Sequence, residues 1–339
     1  MPSSLVIQTS FLGDTVLTTP LLSQLANRGP VDVVTTPAGA TVLANHPAVR
    51  EIIPYDKRGA DRGIGGMLRL ARRLRASRYD IALLAQGSWR SAAIAWLARI
   101  PQRIGFDTSA GRLLYTRRVP YRDDLHHAAR LLLLSRPNGR EPTVAELAPS
   151  LFPGERERAE VDTLLAAHGA EAERLVALAP GSVWATKRWP YYPELAQLLS
   201  DDARIVVVGS AADSPLARAI AIAAPGAIDA TGQLSLLASA ELIRRCAVLV
   251  TNDSAPMHLA SAMGTPTVAV FGPTVPEFGF GPLSPRASVV GHDTLPCRPC
   301  DRHGPQRCPL GHHHCMRELE ASLVAERARA LLLNPDVLA

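Results

Sequence analysis

Short apolar runs alternate with stretches of helical periodicity along the first half of the chain. Apolar runs of strand length predict β-strands, and apolar residues that recur every three or four positions predict helices. The predicted strands are Leu5–Thr9, Val31–Thr35, Glu51–Pro54 and Asp80–Ala85, and the predicted helices include Val16–Asn27 and Met67–Ala76. Alternation of this kind is typical of βαβ units, so we expect a parallel sheet covered by helices on both faces.

The second half repeats the alternation. Strands are predicted at Leu175–Ala179, Arg204–Val208, Ala247–Thr251 and Thr267–Phe271. Helices are predicted at Tyr192–Leu199, Pro215–Ala223, Leu236–Arg245 and Pro256–Met263. The amphipathic stretch Arg317–Leu333 predicts a last helix, which in two-domain folds of this sort often packs back on the first domain. Two doubly wound halves imply a ligand in an interdomain cleft, at the carboxyl ends of the strands.

A change of composition marks the boundary between these halves. The segment Arg136–Gly154 carries four prolines and two glycines and interrupts the periodic pattern. Such segments commonly connect domains. The sequence therefore predicts an α/β protein with two Rossmann-like, doubly wound parallel-sheet domains, residues 1–150 and 151–339.

Composition narrows the class of protein. With 47% hydrophobic and 20% charged residues, the chain has material for two cores and does not resemble a disordered protein. Its apolar runs are all shorter than a membrane span, and residues 1–14 do not resemble a signal peptide, so we expect a cytoplasmic location. The net charge of +5 favours anionic partners such as phosphorylated sugars or acidic lipid headgroups.

The basic residues are unusual in kind. Of the 36 lysines and arginines, only Lys57 and Lys187 are lysines. Because the two cations differ in size, hydration and geometry, a lysine in this background suggests a chemical role, above all at Lys187. The densest basic block, Arg69–Arg78, has helical spacing and favours a solvated helix face over a binding site.

The loop after the first predicted strand carries a candidate base. It contains Ser10, Gly13 and Asp14, with Gly13 suited to a tight strand-to-helix turn and Asp14 at the helix start. Asp14 suits two roles: an N-cap that accepts a backbone N–H, or a general base that accepts a proton from a sugar hydroxyl.

A second loop, residues 180–190, combines hydroxyls and cations. Ser182, Thr186, Lys187 and Arg188 could hold a diphosphate and neutralise it as a leaving group. The alternative is a surface loop whose cations are solvated and whose Trp189-Pro190 pair packs the loop against the next helix.

Two further loops follow strands of the second half. Asp213 either accepts from ribose hydroxyls or caps the following helix. Ser254 is a suitable N-cap, and the N–H groups of the helix turn after it form a ready anion site. His258 lies one turn inside, where it could donate to a phosphate or sugar oxygen or be a core residue. None of the loops is a G-x-G-x-x-G or G-x-x-x-x-G-K-[ST] sequence, which argues against hydride transfer and P-loop ATP hydrolysis.

Together these loops resemble glycosyltransferase family 9, the heptosyltransferases of lipopolysaccharide core assembly. The matching segments are SFLGDTVLTTPLL, APGSVWATKRWP, TNDSAPMHLASAMGTPTVAVFGPT and LPCRPCDRHGPQRCPLGHHHCMREL. The last is most similar to the heptosyltransferase II branch. The resemblance extends from Leu5 to about Leu319, and four motifs in order are more specific than any one of them.

The resemblance implies a GT-B fold, with the acceptor on the N-terminal domain, ADP-heptose on the C-terminal domain, and inverting transfer in a single displacement. It implies that Asp14 is the general base, with Ser10 and Gly13 on the acceptor side, and that Lys187 stabilises the leaving diphosphate. The implied donor-binding residues are Ser182, Thr186, Lys187, Asp213, Asp253, Ser254, Ala255 and His258. The family usually has glycine at position 255, so the alanine methyl leaves the close approach to the pyrophosphate in question.

Four of the five cysteines are clustered near the C-terminus. Cys297, Cys300, Cys308 and Cys315 are interleaved with histidines, whereas Cys246 lies in an apolar strand. In a cytoplasmic protein, a cluster of this kind suggests a structural zinc or iron more than disulfides, and reduced thiols are favoured over both. The transfer chemistry itself requires no cofactor.

The implied partners are ADP-heptose, a lipid A–Kdo or heptosylated inner-core acceptor, and the inner face of the cytoplasmic membrane as a peripheral contact. Nucleic acid is not expected. Two alternatives remain: a protein-modifying heptosyltransferase, and a non-catalytic nucleotide-sugar-binding protein. The presence of both Asp14 and Lys187 argues against the second.

Overall fold

The computed structural model describes residues 1–333 and contains two compact units, Met1–Phe152 and the described residues from Pro153 onward. The strands of the first unit are β1 (Ser4–Gln8), β2 (Val31–Thr35), β3 (Glu51–Pro54), β4 (Ile81–Leu84), β5 (Gln102–Phe106) and β6 (Arg117–Val119). Those of the second unit are β7 (Leu175–Ala179), β8 (Arg204–Val207), β9 (Ile228–Asp229), β10 (Val248–Asn252), β11 (Thr267–Phe271) and β12 (Ala287–Gly291).

Helices connect these strands. In the first unit they are α1 (Leu12–Leu17), α2 (Thr19–Ala26), α3 (Pro37–Val42), α4 (Gly63–Ala76), α5 (Trp89–Leu97) and α6 (His127–Leu133). In the second unit they are α7 (Glu155–Ala167), α8 (Tyr192–Leu199), α9 (Ser214–Ala223), α10 (Leu236–Arg245), α11 (Ala255–Met263), α12 (His314–Arg317) and α13 (Ala321–Leu333). Short 3-10 helices lie at Arg112–Leu114, Val144–Leu147, Ala185–Lys187, Ala211–Asp213 and Pro276–Phe278.

Each unit is built on one parallel sheet. The strand order is β3-β2-β1-β4-β5-β6 in the first unit and β12-β11-β10-β7-β8-β9 in the second. All pairings are parallel. The predicted α/β class with two doubly wound parallel sheets is confirmed.

The central strands are buried on both faces because helices cover each sheet. Leu5 and Ile7 of β1 pack with α4 and α5 in the first core. Val176 and Val250 pack with α8 and α13 in the second. The last described helix, α13, therefore packs on the sheet of its own unit. No helix among residues 1–333 is both long and apolar enough to cross a membrane.

Two predicted helices are interrupted. The stretch Val16–Asn27 does not form one helix, because α1 ends at Leu17 and α2 restarts at Thr19 with Pro20 in its first turn. Proline is accommodated there because its missing N–H is not needed in a first turn. The stretch Arg317–Leu333 is likewise divided after Arg317, and α13 begins at Ala321.

Candidate active site

The candidate residues of the first unit lie where its strand order reverses. β1 lies between β2 and β4. The chain adds β2 and β3 on one side of β1 and then crosses over to add β4, β5 and β6 on the other side. The carboxyl ends of two such strands form the usual ligand-binding crevice of an open α/β sheet. Asp14 lies six residues after β1, within this edge of the sheet.

Asp14 is held by its own loop. It is the third residue of α1, and its Oδ2 accepts the Ser10 hydroxyl at 2.5 Å and the Phe11 backbone N–H at 3.3 Å. The turn into the helix is made before Leu12, so Gly13 lies inside the helix and not at the turn as predicted. The N-cap residue is Phe11, and Asp14 reaches back to it from the first turn. The Asp14 side chain is 17% exposed.

His127 is a neighbour of Asp14 that the sequence reasoning missed. Its Nε2 lies 3.8 Å from Asp14 Oδ1 although the two residues are far apart in the chain. Burial lowers the pKa of His127, the Asp14 carboxylate opposes this shift, and Arg130 adds to it. The imidazole of His127 is therefore neutral at neutral pH.

Lys57 is a second missed residue at this edge. Its Nζ donates to the backbone carbonyl of Thr9 at 2.5 Å, and Gln86 donates to the Thr9 hydroxyl at 2.7 Å. Burial and the nearby Arg58 and Arg90 lower the pKa of Lys57. The rarity of lysine in the sequence was the signal for it. These contacts fix the backbone immediately before Ser10 and Asp14.

In the second unit, the strand order reverses at β7, which lies between β8 and β10. Lys187 follows β7, Asp253 follows β10, and the two form an ion pair with Nζ 2.5 Å from Oδ2. Their side chains are only 9% and 10% exposed. The Thr274 hydroxyl donates to the same carboxylate oxygen at 2.7 Å. Asp253 thus orients the lysine and takes up one of its three N–H groups.

Asn252 ties the two loops together. Its side-chain amide donates to the carbonyl of Pro180 at 2.9 Å and accepts the backbone N–H of Trp189 at 3.2 Å. The Tyr192 hydroxyl donates to the same amide oxygen at 3.3 Å. The residues on either side of Lys187 are therefore anchored to the end of β10.

The start of α11 faces the same edge. Ser254 is the N-cap by position, with extended backbone, although its hydroxyl makes no capping hydrogen bond. Ala255 and Pro256 begin the helix, and His258 is buried one turn inside. This helix terminus provides a positive electrostatic end next to Lys187 and Asp253.

Asp213 lies beside the loop after β7. Its carboxylate accepts the backbone N–H and the hydroxyl of Ser210 at 2.9 and 2.7 Å, so it reaches back instead of capping α9 forward. A side chain at Gly181 would meet this carboxylate at 2.4 Å, which explains the glycine. Ser182 is next in that loop and accepts the Trp184 N–H at 3.3 Å.

A long loop supports the segment around Lys187. We call residues 292–313 the cysteine loop. The Thr186 hydroxyl donates to Pro305 of this loop, the Ala185 N–H donates to Gln306 at 3.1 Å, and His313 Nε2 lies 2.8 Å from the Thr186 carbonyl. Thr186, predicted to bind the donor, thus has its hydroxyl engaged with the protein.

The cysteines of this region are close enough to influence one another. Burial, with the neighbouring Cys300, Cys308 and Cys297, raises the pKa of Cys315 to about 11. Nevertheless, residues 1–333 contain no group of three His, Cys, Asp or Glu side chains arranged to hold a metal ion. The predicted structural zinc or iron at Cys297, Cys300, Cys308 and Cys315 is therefore not supported, and the contacts of the cysteine loop show a supporting role instead.

A known protein family matches most of the chain. The model of glycosyltransferase family 9 (heptosyltransferase) matches residues 67–309. The chain belongs to glycosyltransferase family 9. It is therefore a glycosyltransferase, and the resemblance seen in the sequence is confirmed.

Relatives of this family 9 chain cover nearly its whole length. It is 33% identical to lipopolysaccharide heptosyltransferase 2 of Salmonella typhimurium over 84% of this chain and 87% of that protein. It is 30% identical to lipopolysaccharide heptosyltransferase 2 of Escherichia coli over 98% of this chain and 99% of that protein. The solved structure of E. coli ADP-heptose LPS heptosyltransferase II is 28% identical with a TM-score of 0.81, covering 99% of this chain and 100% of that one. The GT-B fold follows from this likeness.

Proposed function

We propose that this glycosyltransferase moves heptose from ADP-heptose to the inner core of lipopolysaccharide. The observation that carries the proposal is the buried Lys187–Asp253 pair beside the start of α11, at the strand-order reversal of the second unit. A cation and a helix terminus together suit a nucleotide diphosphate. The names of the relatives support heptose as the sugar and the lipopolysaccharide core as the acceptor.

In the proposed reaction, Asp14 accepts the proton of an acceptor hydroxyl as its oxygen attacks the anomeric carbon. The bond from that carbon to the phosphate oxygen breaks, and ADP leaves with the electron pair. Attack opposite the leaving group inverts the configuration at the anomeric carbon. Lys187 and the α11 terminus stabilise the negative charge on the diphosphate, which is the role of pre-organised electrostatics in transfer reactions.

The remaining predicted residues fit around these two. On the acceptor side, Ser10 orients the base and Gly13 permits close approach to it. On the donor side, we assign the diphosphate and ribose to the following residues: Ser182, Thr186, Asp213, Asp253, Ser254, Ala255 and His258. Thr186 acts through its backbone position, because its hydroxyl is bonded to Pro305. No step is assigned to a metal, since Lys187 and a helix terminus supply the positive charge.

The proposed setting is the cytoplasm, with peripheral contact at the inner face of the membrane, where a lipid-linked acceptor is available. The acceptor is either lipid A–Kdo or a core that already carries heptose. No role with nucleic acid is proposed.

The test is transfer from ADP-heptose to three acceptors: a heptose-free core, a heptose-bearing core and a bacterial surface protein. Wild type should transfer to one of the two core acceptors, and Asp14→Ala should lose more than 1000-fold of kcat while binding ADP normally. Asp201→Asn, which changes an exposed carboxylate of the second unit, is the control and should behave as wild type. ADP binding without turnover on either acceptor would favour a binding protein, and transfer only to a protein acceptor would favour the protein-modifying alternative.

A further inference from the structure

The outer face of α5 is apolar although it is exposed. Trp89 and Trp96 are seven residues apart, so they lie on one side of the helix. Ala93 and Leu97 lie on the same side but are partly buried against the first core. Trp89 is 56% exposed and Trp96 is 53% exposed. The opposite side carries the buried Ile94 and Ala95. A helix that is apolar on both sides is typical of an element that contacts a partner on its outer side.

The neighbouring α4 packs against α5 and adds cations. Ile64, Leu68, Arg72 and Arg75 follow one another at spacings of four, four and three, so they form one stripe, and Ile64 is 70% exposed. The other two arginines of the helix, Arg69 and Arg73, lie off this stripe and pair with Asp61 and Glu51.

Arg72 and Arg75 differ from those arginines. Within residues 1–333 neither has a salt bridge, and α4 contains no acidic residue. The 3-10 helix Arg112–Leu114 packs on α5 from another direction and presents Leu113, which is 81% exposed. We call these side chains the α4–α5 face: Ile64, Arg72, Arg75, Trp89, Trp96 and Leu113.

We propose that the α4–α5 face docks on a bilayer that contains anionic phospholipid. Tryptophan is enriched where a protein meets the headgroup region, because its ring is apolar and its N–H is polar. Exposed isoleucine and leucine insert at the acyl boundary, and unpaired arginines are attracted by anionic headgroups. A second copy of the chain fits this face less well, because a two-fold interface would bring the same unpaired arginines together.

The position of the face suits the proposed function, on which this step of the argument depends. Trp89 begins α5 shortly after β4, at the carboxyl edge of the sheet that also carries Asp14. Docking through α5 would therefore bring the edge with the base close to the bilayer surface, where the sugar portion of a lipid-linked acceptor lies.

Vesicle flotation tests the proposal without donor or acceptor. Wild type should bind vesicles of phosphatidylethanolamine with phosphatidylglycerol and cardiolipin, and bind vesicles of phosphatidylcholine at least tenfold more weakly. Trp96→Gln and the double variant Arg72→Gln/Arg75→Gln should each weaken binding to the anionic vesicles at least tenfold. The matched controls in the second unit are Ile222→Gln, at an 82% exposed apolar side chain, and Arg218→Gln, at an exposed arginine of the same helix for which residues 1–333 supply no salt bridge.

Several outcomes would overturn the proposal. The first is that the variants of the α4–α5 face bind anionic vesicles as tightly as wild type does. The second is that the control substitutions weaken binding as much as those variants. The third is that wild type is a dimer in light scattering and Trp96→Gln makes it a monomer. Quenching of tryptophan fluorescence by brominated acyl chains supplies a second readout, which Trp96→Phe should reduce while the protein still binds vesicles. All variants should melt close to wild type.

The two proposals fail separately. Vesicle binding by an enzyme that transfers no sugar would contradict the proposed function and leave the docking face intact. If wild type transfers sugar to a delipidated core oligosaccharide but does not bind anionic vesicles, the proposed function stands and the docking face is contradicted.

Discussion

His127 Nε2 lies 3.8 Å from Asp14 Oδ1, with the imidazole 11% and the carboxylate 17% exposed. The distance is too long for a hydrogen bond, so the contact is one of polarity and packing. Burial lowers the pKa of the imidazole, and a neutral ring does not cancel the charge that Asp14 needs as a base. Ser10 donates to Asp14 Oδ2, and His127 lies by the other carboxylate oxygen, Oδ1.

Replacing His127 should therefore affect turnover and not donor binding. We expect His127→Phe to lower kcat roughly tenfold, equivalent to about 1.4 kcal/mol, with an unchanged KM for ADP-heptose. His127→Gln, which keeps a polar group, should recover part of the lost kcat. Steady-state kinetics measures kcat and KM for both variants, and an unchanged kcat in His127→Phe would exclude this role.

The Lys187–Asp253 pair should behave as a unit. Lys187→Met should lower kcat by about 100- to 1000-fold, because it removes a pre-organised charge from the leaving group. Lys187→Arg should recover little, since the side chain is buried and lies against Gly304, so a larger cation has no room.

A double-mutant cycle separates orientation from direct action. If Asp253 works by orienting Lys187, Asp253→Asn and Lys187→Met together should cost little more in kcat than Lys187→Met alone. Asp253→Asn should also lower stability, because it leaves a buried cation without its partner. Additive losses of kcat would mean that each residue acts on the substrate independently.

The central strands of both sheets were predicted, and the strands missed lie toward the edges. Each central strand is buried on both faces and so appears in the sequence as a continuous apolar run. By contrast, β6 is the three-residue RRV at one edge, and β9 is a two-residue strand at another. Such short, polar segments carry no period, and only pairing with a neighbouring strand makes them extended.

The candidate site was predictable where a residue lies between the end of a strand and the first turn of the next main helix. Asp14, Lys187 and Asp253 satisfy that condition, and parallel topology brings such segments to one edge of each sheet. The contacts that His127, Asn252 and Gln306 make depend on distant parts of the chain. No spacing rule predicts them. The cysteine spacing suggested a metal, whereas the loop supports Lys187 through its backbone and Gln306.

Thiol reactivity offers a further prediction. Partial burial acts to raise the pKa of Cys308, but hydrogen bonds from the backbone N–H groups of residues 310–313 outweigh it and lower that pKa. Burial raises the pKa of Cys246 and of Cys315. We expect iodoacetamide to modify Cys308 well before Cys246 and Cys315 in the native enzyme, since the thiolate is the reactive form. Mass spectrometry of the digested protein gives the order, and the three should react alike in urea. If Cys308 is instead protected from iodoacetamide, and a chelator removes this protection, a bound metal would be shown.

Acid should destabilise the first unit through His46. This residue is buried, its Nδ1 accepts the Ala48 N–H at 3.2 Å, and its Nε2 has no hydrogen-bond partner among residues 1–333. Burial lowers its pKa from 6.5 to about 4. Between pH 6.5 and 4 the unfolded chain binds a proton at His46 that the folded chain does not. The contribution of the neutral His46 to the free energy of unfolding is therefore present above pH 6.5 and is lost as the pH falls toward 4.

The expected loss from His46 between pH 7 and 5 is about 1.8 kcal/mol, since the slope approaches about 1.4 kcal/mol per pH unit only below the unfolded pKa of 6.5. His46→Asn keeps an acceptor for Ala48 but does not titrate, so it should lower stability at pH 7 through lost packing on Phe152 and yet weaken the pH dependence. Urea unfolding at pH 7 and pH 5 measures the difference, with His168→Asn, at an exposed histidine, as the control. If His46→Asn and wild type lose the same free energy of unfolding between the two pH values, the imidazole of His46 is not the group that takes up the proton.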